Sequence, residues 1–195
     1  MSNPTAQGTS HSRTSKPRRP AAFLDRDGVL NIDHGYAHRP EQLEWIKGAP
    51  EAVRLLNEAG YYVFVVTNQS GIARGYFEEE AVKSFHAHMQ DSLAEHGAHI
   101  DAFYFCPHHP DGTVKSLAVR CRCRKPGTGM LEQAAREWPI DIRASFMVGD
   151  KEEDMTAAAA FNVRGIQFNS RTDSLTDLVR GEIAARSDRR DRPSL

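Results

Sequence analysis

The sequence predicts one α/β domain: a mostly parallel sheet with helices on both faces. Three observations predict it. Short apolar runs of strand length alternate with stretches of helical periodicity through the middle of the chain. The runs are apolar at successive positions, the pattern of strands buried on both faces. Three of them stop abruptly in polar or acidic residues, and open parallel sheets bind ligands at the carboxyl ends of their strands.

The chain has 195 residues, 39% hydrophobic and 26% charged, with a net charge of −1 at pH 7. That length accommodates a full single core. A balance so near neutrality carries no global footprint for nucleic acid or for an anionic membrane. No apolar run approaches the ~20 residues of a membrane span. The N-terminal MSNPTAQGTSHSRTSKPRRP lacks the apolar centre of a signal peptide. The cysteines number three, which argues against a pure disulfide framework and for a reducing cytoplasm. The expected organisation is a disordered polar tail over 1–20, one domain over 21–186, and a second disordered tail over 187–195.

Ala21-Ala22-Phe23-Leu24 is the first strand and runs into Asp25-Arg26-Asp27-Gly28, where glycine permits a sharp exit. Residues 30–42 read as a polar loop carrying Asp33-His34-Gly35-Tyr36. The periodicity of Val53, Leu55, Leu56 and Ala59 after Pro50 predicts a helix stopped by Gly60. Tyr61 to Val66 is the second strand, ending in Thr67-Asn68-Gln69-Ser70-Gly71. Glu78-Glu79-Glu80 put negative charge at the start of a long helix reaching Glu95. Ala102 to Phe105 is the third strand, and a long loop follows it. Thr128 to Glu137 is helical, with Pro139 beyond. Ser145 to Val148 is the fourth strand, ending in Gly149-Asp150. Met155 to Phe161 is helical, Gly165 to Phe168 is the fifth strand, and Leu175 to Ala185 is the last helix. Only 39 residues separate Asp27 from Thr67, which leaves no room for a large cap domain.

Asp25, Asp27 and Asp150 would share one crevice, where only a cation or a raised pKa relieves their repulsion. Mg²⁺ suits carboxylates, water and a phosphate oxygen. Thr67 and Asn68 can donate to phosphate, and Lys125 adds positive charge. This is the chemistry of a phosphoryl site. A second cluster gathers all three cysteines within eighteen residues, in Cys106-Pro107-His108-His109…Cys121-Arg122-Cys123. Cys₃His is a composition of structural zinc sites. The expected ligands are Cys106, His108, Cys121 and Cys123, with His109 competing for the histidine position and three unrelated thiols as the alternative. Such a clip would close the long loop and fix Arg124-Lys125.

Four stretches, Asp25-x-Asp27-Gly28, Thr67-Asn68, Lys125 and Gly149-Asp150-x-x-x-Asp154, resemble in order the signature motifs of the haloacid dehalogenase (HAD) superfamily. The resemblance implies a Rossmann-like HAD fold and a Mg²⁺-dependent phosphatase. Asp25 would be the nucleophile, and Asp27 the general acid and base with a raised pKa. Thr67 and Lys125 would stabilise the phosphoryl oxygens. Mg²⁺ would be held by Asp25, the Asp27 carbonyl and Asp150, and Asp154 would orient its neighbours.

Within that superfamily, Asp33 to Tyr36, Thr67 to Gly75, Cys106 to Pro110, Cys121 to Pro126 and Gly149 to Met155 resemble the D-glycero-D-manno-heptose 1,7-bisphosphate 7-phosphatases, which act in lipopolysaccharide precursor synthesis. Histidinol-phosphate phosphatases, with a shorter zinc loop, are the alternative. The resemblance implies that Asp33, His34, Gly35 and Tyr36 contact the sugar or its second phosphate. Thr67, Asn68, Gln69, Ser70, Lys125 and Lys151 would reach the substrate, and Arg124 would take the distal phosphate. It also implies a small sugar bisphosphate as partner, with no nucleic acid or membrane, and a cytoplasmic monomer holding structural Zn²⁺. A nucleic-acid 3′-phosphatase and a non-catalytic zinc-stabilised module are more distant readings. No aromatic-basic strip supports the former, and no catalytic motif is broken as the latter requires.

Overall fold

Five strands, β1 (Ala21–Leu24), β2 (Tyr62–Asn68), β3 (Ala102–Cys106), β4 (Phe146–Gly149) and β5 (Arg164–Gln167), make one sheet in the order β3-β2-β1-β4-β5. Every neighbouring pair is parallel, as the alternation of strand and helix predicts. The computed structural model describes residues 17–190; the tail expectations for 1–16 and 191–195 lie outside the described residues. The chain winds outward from β1 through β2 to β3, then returns past β1 to β4. Loops leaving β1 and β4 therefore diverge to opposite sides and open a crevice at the sheet's carboxyl edge.

Two apolar layers enclose the sheet. On one face Leu24, Val63, Val65 and Val148 meet α1 (Ala49–Glu58), α3 (Glu79–Ala94) and α6 (Leu175–Arg190). On the other, Phe23, Phe64, Val66 and Met147 meet α4 (Gly129–Glu137) and α5 (Glu152–Ala160). With both faces covered, the residues of the three central strands β2, β1 and β4 are almost all buried, which is why their sequence reads as continuous apolar runs. No helix among the described residues is long and apolar enough to cross a membrane.

Several boundaries move. β2 continues through Thr67 and Asn68, because both still pair with β3, at Phe105 and Cys106. A single helical turn, α2 (Ser70–Ala73), occupies part of the expected polar loop after it. Helix α5 starts three residues before Met155, with Glu152, Glu153 and Asp154 in its first turn, where the helix dipole favours negative charge. Helix α6 passes the expected end at Ala185 and carries residues of the expected tail to Arg190. At the other end Arg19 and Pro20 belong to the folded unit rather than to a tail. The Arg19 N–H donates to Pro139 O at 3.0 Å, and its guanidinium to the carbonyls of Gly60 and Tyr61.

Candidate active site

Asp25 is the first residue past β1, and its N–H still bonds Val148 O of β4 at 2.9 Å. That bond seats the carboxylate at the floor of the crevice, 5% exposed. Lys125 approaches from the other side, with Nζ 2.9 Å from Asp25 Oδ1, 2.6 Å from Asp154 Oδ1 and 2.7 Å from Val66 O. Two carboxylates and a carbonyl thus surround the ammonium, and the charge stands in one place. Burial pushes the Asp25 carboxyl up to about 6 against the pull of Lys125. Burial alone would lower Lys125; the attraction of Asp25 and Asp154 outweighs it and raises the pKa above the ordinary lysine value.

Asn68 explains how Lys125 is held. Its Oδ1 accepts the Lys125 N–H at 3.0 Å, and its Nδ2 donates to Lys125 O and to Glu153 Oε1. The side-chain amide of Asn68 thus clamps the Lys125 backbone. Asp154 is fully buried, accepting the Lys151 N–H at 3.1 Å with Oδ2 while Oδ1 faces Lys125.

The oxygens of Asp25, Asp150 and Asp154 lie within 4.8 Å of one another. Asp150 Oδ1 is buried and has no hydrogen-bond partner among the described residues. Gly28 makes room for that carboxylate: at its φ of +90° a Cβ would stand 2.5 Å from Asp150 Oδ2. An acceptor without a donor beside two further carboxylates is what a hard, oxygen-seeking cation requires.

Asp27 departs from expectation. Burial would raise its pKa, but the Arg26 guanidinium and hydrogen bonds from Arg26, Asn31 and Gln69 win and lower it below the usual carboxylate value. The expected raised pKa is therefore corrected. Arg26 is 0% exposed; its Nη2 lies 2.9 Å from Asp27 Oδ2 and donates to Ala37 O at 2.7 Å. Its Nη1 stands 3.4 Å from His86 Nε2, and its plane covers the Phe85 ring.

Burial, then the Arg26 charge, hold His86 down to about 3, so it stays neutral in the fold. The unfolded chain takes up that proton below about 6.5, whereas the native state waits until about 3. Stability should therefore fall as pH drops through this window, by about 1.4 kcal/mol per pH unit from this group. His86→Gln keeps an acceptor for Arg26 and should flatten that part of the decline. Urea midpoints measured from pH 7 to pH 4 check it; equal slopes for both proteins would rule it out.

Above the floor, Asp27, Asp33, Gly35, Tyr36, Asn68, Gln69, Ser70, Arg124 and Lys151 line one cleft of about 280 Å³, so most of the expected substrate residues converge. His34 does not join them, because its Nε2 turns outward to Glu44 Oε2 at 2.9 Å. Thr67 is buried beneath, where its Oγ1 accepts from Gln69 Nε2 at 2.8 Å and keeps its own O–H as a donor. Gln69 Nε2 also reaches Asp27 Oδ2 at 3.1 Å.

The long loop after β3 is gathered at its two ends. Cys106, Cys121 and Cys123 place their sulfurs 3.2–3.5 Å apart, and His108 Nδ1 sits 3.3 Å from Cys123 and 3.6 Å from Cys106. A tetrahedron with ~2.3 Å Zn–S bonds has edges of about 3.8 Å. The four groups thus fit a closed zinc site with little adjustment. His108 is the histidine grouped with the sulfurs, while His109 points elsewhere, with Nε2 3.3 Å from Arg74 Nη2. Cys121 Sγ also accepts the Arg124 N–H at 3.4 Å, tying the cluster to the cleft.

Against known proteins, a family model described as HAD-hyrolase-like matches residues 122–188. The chain is 51% identical over 154 residues to the D-glycero-beta-D-manno-heptose-1,7-bisphosphate 7-phosphatase of Rhodopseudomonas palustris, spanning 79% of this chain and 86% of that protein. Identity is 54% over 144 residues to the protein of the same name from Yersinia pestis, spanning 74% and 77%. The chain belongs to the D-glycero-beta-D-manno-heptose-1,7-bisphosphate 7-phosphatase family. A solved relative, the D,D-heptose 1.7-bisphosphate phosphatase from B. bronchiseptica complexed with magnesium and phosphate, superposes with a TM-score of 0.75. It is 30% identical and is covered over 99% of its length by 85% of this chain. This member of the heptose bisphosphate phosphatase family is a HAD phosphatase with the expected parallel sheet. Arg26 and His86, packed beside Asp27, are the residues that sequence reasoning missed. The signal available for Arg26 was its place inside Asp25-x-Asp27, in a turn too short to reach solvent.

Proposed function

We propose that this phosphatase hydrolyses the 7-phosphate of D-glycero-D-manno-heptose 1,7-bisphosphate through an aspartyl phosphate on Asp25. The observation that carries the reading is the Asp25–Lys125–Asp154 group at the crevice floor, beside the unpartnered Asp150 oxygen and below the cleft. Asp25 attacks phosphorus while the bond to the C7 oxygen breaks, and Asp27 protonates the leaving alkoxide. Water then attacks the acyl phosphate, gives its proton to Asp27, and releases inorganic phosphate. Lys125 and the Thr67 hydroxyl stabilise charge on the equatorial oxygens. Asp25, the Asp27 carbonyl and Asp150 would hold Mg²⁺, which when bound neutralises phosphoryl charge. Cys106, His108, Cys121 and Cys123 would hold Zn²⁺.

Asp27 starts ionised beside Arg26, yet the first half-reaction needs its proton. A phosphate dianion entering the cleft raises a neighbouring carboxyl pKa by like-charge repulsion. Substrate arrival thus prepares the acid. Phosphate release from the heptose bisphosphate, histidinol phosphate and a 3′-phosphorylated oligonucleotide tests the assignment. The bisphosphate should give the highest kcat/KM; faster turnover of either competitor would replace the substrate named here.

A further inference from the structure

The buried guanidinium of Arg26 is held at both ends, and only one end belongs to the site. Its Nε and Nη2 make a fork on Asp27. Both donate to Oδ1, at 3.2 and 3.1 Å, and Nη2 also donates to Oδ2 at 2.9 Å. A fork of this kind sets the plane of the carboxyl as well as its place. The other end, Nη1, reaches α3, where Phe85 and His86 are consecutive. The guanidinium carbon stands 4.7 Å over the Phe85 ring, and His86 Nε2 lies 3.4 Å from Nη1. Among the described residues, His86 is the acceptor that Nη1 meets. A guanidinium has donors only, so Nε2 presents its lone pair and the ring hydrogen sits on Nδ1.

The His86 ring is itself fixed. It stacks on Phe103 of β3 with centroids 4.4 Å apart and planes at 15°, and it meets the Phe105 ring at 5.9 Å. At 3.4 Å the contact with Arg26 is long, so its value lies in direction more than in strength. His86 is also a wall: with Lys83, Asp101 and Phe103 it lines a hollow of about 580 Å³ between α3 and β3. A buried donor that loses its acceptor is costly, and the hollow is the nearest water to Nη1 beyond His86. An apolar side chain at 86 would therefore draw Nη1 outward. The guanidinium is one rigid plane, so the fork on Asp27 would turn with it. Asn31 and Gln69 would still reach Asp27, one oxygen each, at 2.9 and 3.1 Å. Two single bonds hold the carboxyl in the site without fixing its plane.

We propose that His86 is a positioning residue for the general acid: acting through Arg26, it fixes where the Asp27 carboxyl stands against the leaving oxygen. This rests on the assignment of Asp27 as the acid and adds to it a side chain of α3 that touches no substrate. The effect falls on one step. An alkoxide needs a proton as it departs, whereas nitrophenolate does not. A displaced Asp27 therefore slows the sugar ester alone, while a general loosening of the site slows both esters.

The test compares kcat and KM for the heptose bisphosphate and for p-nitrophenyl phosphate. His86→Leu removes the acceptor and should lower the ratio of sugar to nitrophenyl turnover about 10-fold, through kcat with KM nearly unchanged. His86→Gln keeps an acceptor and should hold the wild-type ratio. Arg26→Lys keeps the charge without the fork and should lower the ratio as His86→Leu does. Lys83→Ala, an exposed lysine on the same hollow, is the control and should leave the ratio unchanged. Thermal melts separate folding from function. A lower melting temperature with an unchanged ratio in His86→Leu overturns the positioning role, and so does an equal fall for both esters. If His86→Leu does not fold, the wild-type protein decides. Nitrogen NMR of its histidine rings should show His86 with Nδ1 protonated and Nε2 bare at neutral pH, and a hydrogen on Nε2 overturns the contact with Arg26. Asp27→Asn keeps the two failures apart. If it slows both esters equally, the acid assignment beneath falls; if it slows chiefly the sugar ester while His86→Leu leaves the ratio intact, the positioning role alone falls.

Discussion

Asp25→Asn is expected to abolish turnover, by about 10⁴-fold or more, while the protein folds normally. An amide cannot form the acyl phosphate, and it is nearly the same size as the carboxylate it replaces. The substitution should also stabilise the protein, with a defined pH dependence. The Asp25 carboxyl rises from 3.8 to about 6 in the fold, so the native state holds that proton more tightly than the unfolded chain. The stabilisation from the protonated form is complete below 3.8 and lost as pH rises through about 6. Asparagine escapes that loss, so its gain in melting temperature should be larger at pH 8 than at pH 5. Asp27→Asn should slow sugar phosphate hydrolysis by about 10²-fold or more and p-nitrophenyl phosphate by less, since nitrophenolate needs no proton to depart. Near-normal turnover with asparagine at 25 would sink the covalent mechanism, and equal losses on both esters would sink the role of Asp27.

What the sequence made legible follows from what local pattern can encode. Buried parallel strands announce themselves as continuous apolar runs, and Asp25, Thr67 and Asp150 are legible because each interrupts one at its carboxyl end. What stayed hidden depends on partners distant in the chain or on a charge in an unusual place. The clamp of the Asn68 amide on the backbone of Lys125, 57 residues later, has no local signature. His34 was expected in the cleft, and Glu44 draws it away. Asp27 was expected to carry a raised pKa, an inference from its chemical duty alone. Its partner Arg26 belongs to a residue type almost never fully buried unless paired, so ordinary reasoning leaves it in solvent. Two adjacent histidines, His108 and His109, have nearly equivalent spacing to the cysteines, and only the path of the loop separates their roles.

Cys121→Ser is expected to release the loop and impair every substrate alike. Zinc held by these four groups would join the end of β3 to the residues just before Lys125, so losing one thiolate would untie a loop of some twenty residues. A destabilisation of about 3 kcal/mol would lower the melting temperature by roughly 6–12 °C for a domain of this size. The activity loss follows from position. Cys121 Sγ accepts the Arg124 N–H, and Lys125 Nζ must reach Asp25, Asp154 and Val66 O together. With Lys125 in its proposed role beside the transferring phosphoryl group, a shift of about 1 Å in that lysine would cost on the order of 10²-fold. The loss should therefore be similar for the heptose bisphosphate, its monophosphate and p-nitrophenyl phosphate. Wild-type protein should contain about one zinc per chain, and the serine variant less. Zinc-free wild-type protein with full activity, or a serine variant with unchanged melting and turnover, would remove the clip from the account.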